Sequence, residues 1–396
     1  MPQLSQRAIE LPASPIRKLH GVVVRQRDVY FHRVNIGQPD VATPAPLLEA
    51  MAAHQPRVIA YGPAMGEASC REAAADYHSR WDPRLGAEHV AVTTGGSEAL
   101  LFAFAALCDP GDDILVPEPY YANYNGFALM VGASIRPVGT ALDTGFSLPP
   151  DEVLDAAVGP RTRAILFSNP GNPTGAIYPL ADVERAVRWA QRRGLFVIAD
   201  EVYRRIWFDE PAPSALEVPD ADDTVIVIDS LSKTYSACGI RLGFLISRNG
   251  LLMERVERLG QARLGPQPLA QQVAIAALQL PERYYDELRA TYRARMDALF
   301  DALAGVSAIE APRPQGAFYT MLRLPVDDAD RFAHYLVEQH RDRGESVLVA
   351  PGSGFYADPA RGRRQVRVAA VIAEQHLARV VDILAGALEA YPGRMR

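Results

Sequence analysis

Through the middle of the chain, short apolar runs rich in β-branched residues alternate with stretches whose apolar positions recur at helical spacing. "HVAVTT" (89–94) leads into "GGSEALLFAFAAL" (95–107), and "DDILVP" (112–117) follows. Next come "RAILFSN" (163–169), the amphipathic "LADVERAVRWAQRRG" (180–194), "LFVIAD" (195–200) and "DTVIVIDS" (223–230). Strands alternating with helices predict βαβ units. The runs are apolar throughout, which fits strands buried on both faces of a mainly parallel sheet flanked by helices.

The pattern changes in the last third. A long helical stretch, "PERYYDELRATYRARMDALFDALAG" (281–305), precedes the strand-like "GAFYTMLRLP" (316–325). A helix near 327–343, the strands "ESVLVAP" and "RQVRVAAVI", and a closing helix over about 374–391 complete it. The expected fold class is therefore α/β: a large domain with a mainly parallel central sheet, plus a smaller α/β domain. The expected division is 1–45 as a segment packing with the small domain, 46–285 as the large domain and 286–396 as the small one. No repeat, low-complexity tract or obvious linker interrupts this order.

Composition narrows the class of function. At 396 residues the chain is long enough for two or three domains with a large core. A net charge of −6 offers no general attraction for nucleic acid or anionic membrane. Cys70, Cys108 and Cys238 are scattered, which excludes a disulfide framework and suits a reducing compartment. The first residues lack an apolar signal core, and no apolar stretch approaches a membrane span. A cytoplasmic protein is expected.

Ligands of open α/β sheets bind at the carboxyl ends of the strands. Thr93-Thr94-Gly95-Gly96-Ser97 follows one run and opens a helix; "SNPGNPTG" (168–175) follows another. The third ends in Asp200-Glu201-Val202-Tyr203, the fourth in Asp229-Ser230-Leu231-Ser232-Lys233. An anion cradle, an amide, a carboxylate with a phenol, and an amine thus converge on one predicted edge. Singly, each has an ordinary reading: a helix cap, a Pro/Gly turn around Asn172, a solvated acid, a surface lysine.

Lysine stands only at Lys18 and Lys233, although Lys+Arg totals 41. Arginine serves salt bridges and phosphate contacts at least as well, but it cannot act as a neutral amine or form a Schiff base. A chain that otherwise uses arginine and keeps Lys233 suggests amine chemistry, with chance survival of two lysines as the competing explanation.

With these residues assembled, the chain resembles the class I/II aminotransferases, pyridoxal-phosphate enzymes of fold type I, over about residues 15–390. The most specific segment is "SLSKTYSACGIRLG"; "NPGNPTG", "IADEVY" and "PQGAFY" match in order and spacing, as do "NIGQPDVATP", "YGPAMGEASCREAAADY" and "PGSGFY…VRVAA". The resemblance implies that Lys233 holds the cofactor as an internal aldimine and then shuttles the proton between Cα and C4′. It implies that Asp200 pairs with the pyridine nitrogen, and that Tyr203 and Asn172 hydrogen-bond the phenolic oxygen. The phosphate would sit at Gly95, Gly96 and Ser97 on a helix N-terminus, with Ser230, Ser232 and Arg241 adding contacts. Tyr121 fills the ring-stacking position, and Tyr61 would come from a second subunit, which makes a homodimer expected. Arg367 would grip the substrate α-carboxylate in a bidentate fork, with Gly37 beside it.

Four positions depart from the family's pattern. Tyr121 stands where many relatives have tryptophan. Ser97 stands where one dicarboxylate-reading branch has lysine. Val41 and Cys70 replace a commoner phenylalanine and leucine. The expected function is transfer of an amino group between an L-amino acid, aspartate favoured, and a 2-oxo acid of the 2-oxoglutarate/glutamate pair, by a ping-pong mechanism. The alternatives are a β-lyase, decarboxylase or oxidase on the same site, an aromatic or aliphatic transaminase, or a cofactor-sensing regulator. A regulator needs a DNA-binding module ahead of this region, where the family match already begins.

Overall fold

The apolar runs become strands because neighbouring side chains must point to opposite faces of a sheet that is covered on both. In a computed structural model that describes residues 2–11 and 14–395, the strands in chain order are β1 (Tyr30–Arg33), β2 (Val90–Thr93), β3 (Asp113–Glu118), β4 (Ser134–Gly139), β5 (Thr162–Ser168) and β6 (Phe196–Asp200). They continue with β7 (Val225–Ser230), β8 (Gly243–Ile246), β9 (Tyr319–Arg323), β10 (Glu345–Leu348), β11 (Ala350–Pro351) and β12 (Gln365–Ala369). Seven form the central sheet in the order β2-β8-β7-β6-β5-β3-β4. β8 runs antiparallel to both its neighbours, and the other pairs are parallel.

The two-residue period is visible in the cores. Val197, Ala199, Val225 and Val227 enter one hydrophobic cluster, while Ile198, Ile226 and Ile228 enter the cluster on the opposite face. The helix Leu180–Arg192 buries Val183, Ala186, Val187, Trp189 and Ala190 against the first face. Helix Gly96–Leu107 buries Leu100, Ala103 and Phe104 in the second.

Three strands were not in the sequence pattern. β4, "SIRPVG", is an edge strand with Pro137 in its middle and mixed exposure, so it lacks the continuous apolar run of its neighbours. β8 is short and antiparallel, and β1 pairs in parallel with β10 outside the central sheet. The expected single strand "ESVLVAP" is divided: β10 pairs with β1, and β11 with β12.

The smaller α/β unit is built on the antiparallel sheet β11-β12-β9 and the helices Glu282–Leu303, Ala329–Glu338 and Glu374–Ala390. Leu19, Val23, Phe31 and Val34 lie in its hydrophobic cluster. The helix Glu282–Leu303 runs through the 285/286 boundary and contributes Tyr285 to the large sheet's cluster and Leu288 to the smaller unit's. No helix among the described residues is long and apolar enough to cross a membrane.

Candidate active site

Strands β2, β5, β6 and β7 end on one edge of the sheet, and antiparallel β8 begins there, with Gly243 beside both Thr93 and Ser230. A cleft of about 450 Å³ opens over this edge, walled on its far side by the smaller unit. Gly37, Gly96, Ser97, Tyr121, Asn172, Asp200, Tyr203, Ser230, Ser232, Lys233, Arg241 and Arg367 line it. Gly95 sits immediately behind, and Tyr61 lies elsewhere, on the open surface.

One end of the cleft is an anion cradle. Gly95 caps the helix Gly96–Leu107 at φ +77°, a left-handed backbone that favours glycine. A Cβ on Gly95 would meet Arg241 Nη2 at 2.6 Å, and one on Gly243 would meet the backbone of Gly95 and Gly96 at 2.6 Å. The guanidinium of Arg241 therefore lies against the first turn of the helix. Ser230 and Ser232 are buried, with their hydroxyls 2.8 Å apart. Free N–H groups, the helix dipole and a guanidinium together suit a phosphate.

At the centre, Lys233 follows β7 by three residues and directs Nζ to Gly37 O at 2.7 Å. Asp200, the last residue of β6, is 5 % exposed and accepts from the Tyr124 hydroxyl at 2.6 Å. Burial pushes its carboxyl up to about 6, although the Tyr124 hydrogen bond and the Lys233 cation oppose the rise. The Tyr203 and Tyr319 hydroxyls are 3.0 Å apart. Tyr121 presents its ring to the cleft, and burial holds its phenol up at about 12.

The other end holds Arg367, on β12. It is 1 % exposed, donates from Nη1 to Asn172 Oδ1 at 2.9 Å and from Nη2 to Asn35 O at 2.5 Å, and has no hydrogen-bond partner for Nε. The guanidinium lies 4.4 Å from the Tyr319 ring centroid and 4.9 Å from that of Phe355. No carboxylate pairs with it among the described residues. A buried cation without a protein anion is costly, and a ligand carboxylate removes that cost. Asn172 gives its oxygen to Arg367, which leaves its NH₂ group as the donor for a ligand.

The segments carrying these groups are fixed from below by a buried network interleaved with them in sequence. Glu201, next to Asp200, accepts from Ala215 N at 2.7 Å, from Ser214 Oγ and from Arg204. Arg204, next to Tyr203, also lies 3.1 Å from His78 Nδ1 and 3.5 Å from Asp229 Oδ2, beside Ser230. Burial lowers His78 to about 4, so its ring is neutral at neutral pH. Sequence reasoning missed this network, and it missed Tyr124 and Tyr319 as site residues. The resemblance marks Tyr121, three residues before Tyr124, and the segment "PQGAFY", but no spacing rule says which tyrosine hydroxyl meets which group.

The groups fit a ligand that brings a phosphate, an amine-reactive aldehyde and a protonatable ring nitrogen together. Pyridoxal phosphate has all three, and the α/β edge and its cleft define an enzyme that depends on it. The chain belongs to the family described as aminotransferase class I and II, whose model matches residues 33–384. It is a transferase of that family. It is 30 % identical over 360 residues to an aspartate aminotransferase of Thermotoga maritima, covering 89 % of this chain and 92 % of the relative. It is 31 % identical over 329 residues to an arginine–pyruvate transaminase of Pseudomonas aeruginosa, covering 81 % and 82 %. Among solved structures, the Thermus thermophilus aspartate aminotransferase with maleate superposes with a TM-score of 0.88 at 27 % identity, covering 98 % of this chain and 100 % of that one. An alanine aminotransferase from Pyrococcus furiosus gives 0.90 at 28 % identity with the same coverage.

Proposed function

We propose that this enzyme exchanges the amino group of an L-amino acid, aspartate favoured, with 2-oxoglutarate in a ping-pong cycle in which Lys233 is the acting base. The observation that supports this most is the buried guanidinium of Arg367, paired with no carboxylate among the described residues and with Nε left unbonded, in the same cleft as the amine of Lys233. It suits an α-carboxylate held beside the group that must take the Cα proton.

Bound in the cleft, the cofactor supplies an aldehyde for capturing amines and a ring that accepts the electron pair left at Cα. The chain supplies the rest. Lys233 Nζ is the amine that would hold the cofactor and the base that would take the substrate's Cα proton. Gly37 O, 2.7 Å from that amine, orients it. Asp200 would hold a proton on the ring nitrogen, Tyr203 and the Asn172 NH₂ group would bind the ring oxygen, and Tyr121 would pack on the ring. Gly95, Gly96, Ser97, Ser230, Ser232 and Arg241 would bind the phosphate. Arg367 and the backbone at Gly37 hold the α-carboxylate.

A second carboxylate, as in aspartate and 2-oxoglutarate, needs a second cation. Ser97 provides none, but Arg17 lines the cleft and makes no ion pair among the described residues. The aspartate aminotransferases among the relatives support the same preference, while arginine and alanine in other relatives' names mark the competing donors.

We also infer a homodimer in which Tyr61 completes the neighbouring site, a small unit formed by 286–396 with the 1–45 segment against a large unit of 46–285, and work in the cytoplasm. The exposed run Val58, Ile59, Tyr61 supports the first, and the shared cluster of Leu19, Val23, Phe31 and Val34 with the last third supports the second. Three free cysteines support the third.

A panel of amino donors with 2-oxoglutarate, followed as oxo-acid formation, tests the reaction. Aspartate should give the highest kcat/KM, and Lys233→Ala should abolish turnover. Release of ammonia and pyruvate without an oxo-acid acceptor would replace transamination with a lyase reaction. Activity with aromatic or aliphatic donors but not aspartate would overturn the substrate.

A further inference from the structure

Asp200 is gripped from behind by a residue with no part in the cycle above. Tyr124, the second residue of the helix Asn123–Val131, is 1 % exposed and donates its hydroxyl hydrogen to Asp200 Oδ2 at 2.6 Å. The other carboxylate oxygen, Oδ1, has a long contact of 3.4 Å with Val202 N. One oxygen is thus taken by the protein and the other is left for a ligand. The Tyr124 ring is held in place, edge-on to the cleft-lining Tyr121 with centroids 5.5 Å apart and stacked on Tyr120 at 6.3 Å. Its hydroxyl therefore has a fixed aim.

We propose that Tyr124 is the positioning residue for Asp200. Its hydroxyl fixes the rotation of the carboxylate so that Oδ1 faces the cofactor's ring nitrogen, and it keeps that carboxylate charged. The proposal rests on Asp200 being the nitrogen's partner.

The surroundings show why such a donor is needed. The groups facing Asp200 are Tyr124 and Tyr121 from one side, Asp229 from β7, Lys233 beyond it and Tyr203 from the turn after β6. Asp229 repels the charge. Lys233 favours it, but that amine is the one the cofactor consumes. Tyr124 is the largest of the influences that hold the carboxyl down against burial, and its own phenol is raised well above the usual value, so it remains a donor. A neutral carboxyl could not hold a protonated pyridine.

Tyr124→Phe removes one oxygen and leaves the ring. Its dissociation constant for pyridoxal phosphate, measured on the apo protein by equilibrium dialysis, should rise roughly 10- to 100-fold, the effect of losing a charge-assisted hydrogen bond. The loss should grow as pH falls from 8 towards 6.5. An analogue with carbon in place of the ring nitrogen offers Asp200 nothing, and its affinity should not change. On an Asp200→Asn background, Tyr124→Phe should add nothing. Equal weakening of cofactor and analogue would make Tyr124 a packing residue and overturn the proposal. If Asp200→Asn alone leaves the preference for cofactor over analogue intact, the partner assignment itself fails. Should Tyr124→Phe not fold, 3-fluorotyrosine at position 124, a stronger donor of nearly the same shape, should move the midpoint of pH-dependent cofactor binding down; an unmoved midpoint overturns the proposal.

Discussion

Asp200 shows how one residue can serve a site at the expense of the empty fold. Its carboxyl is pushed from an ordinary 3.8 up to about 6 by burial, so the folded chain binds its proton more tightly than the unfolded chain does. That contribution to stability is fully present below pH 3.8 and is lost as pH rises through about 6. Apo Asp200→Asn should therefore be more stable than the unmodified apo protein at pH 8, by on the order of 3 kcal/mol, and no different near pH 3.5. Urea unfolding at the two pH values checks this, and equal stabilities at pH 8 would mean the buried charge is already compensated. With pyridoxal phosphate bound the order should reverse, because the asparagine cannot hold a ring proton. Lys233, Asp200 and Arg367 were legible as letters because each is the wrong residue for a plain structural position: an amine among arginines, an acid ending an apolar run, a cation inside one. Tyr124 and Tyr319 were not, because a tyrosine in an apolar segment is ordinary. What sets them apart is the group that each hydroxyl meets, Asp200 at 2.6 Å and Tyr203 at 3.0 Å.

At the scale of elements, the cleft is a property of the sheet edge. The parallel strands could be read from their apolar runs, since burial on both faces leaves no polar positions to blur the pattern. β8 was not read, yet it matters to the site: antiparallel, it enters at the edge where its neighbours leave, and it packs Gly243 against the cradle. Gly243→Ala should test that packing. The added methyl has backbone on the other side at 2.6 Å, so nothing flexible can give way. The variant should lose about 1–3 kcal/mol of stability and push the N-terminus of the helix Gly96–Leu107 outward. Cofactor affinity should fall, while a phosphate-free pyridoxal should bind as before. Equal weakening of both would place the damage in the fold rather than in the cradle.

At the scale of the molecule, one stretch of the surface carries large apolar side chains that nothing in the single chain covers among the described residues. Val58, Ile59 and Tyr61 are 71 %, 82 % and 86 % exposed in sequence succession, and Leu264 beyond the helix Gly250–Arg263 is half exposed as well. Gly265, next to Leu264, packs against the backbone of Gly62, next to Tyr61, which brings these two exposed segments together. Large apolar side chains clustered on a surface mark an interaction site. A twofold dimer would cover the patch with its own copy, and each substitution would then count twice. Sedimentation equilibrium should give about twice the 43.3 kDa chain mass for the unmodified protein and about the chain mass for Ile59→Asp. If Tyr61 completes the neighbouring phosphate site, the Ile59→Asp monomer should also bind pyridoxal phosphate more weakly, and Tyr61→Phe should weaken it without dissociating the dimer. A monomeric unmodified protein with full cofactor affinity would show that one chain builds the whole site.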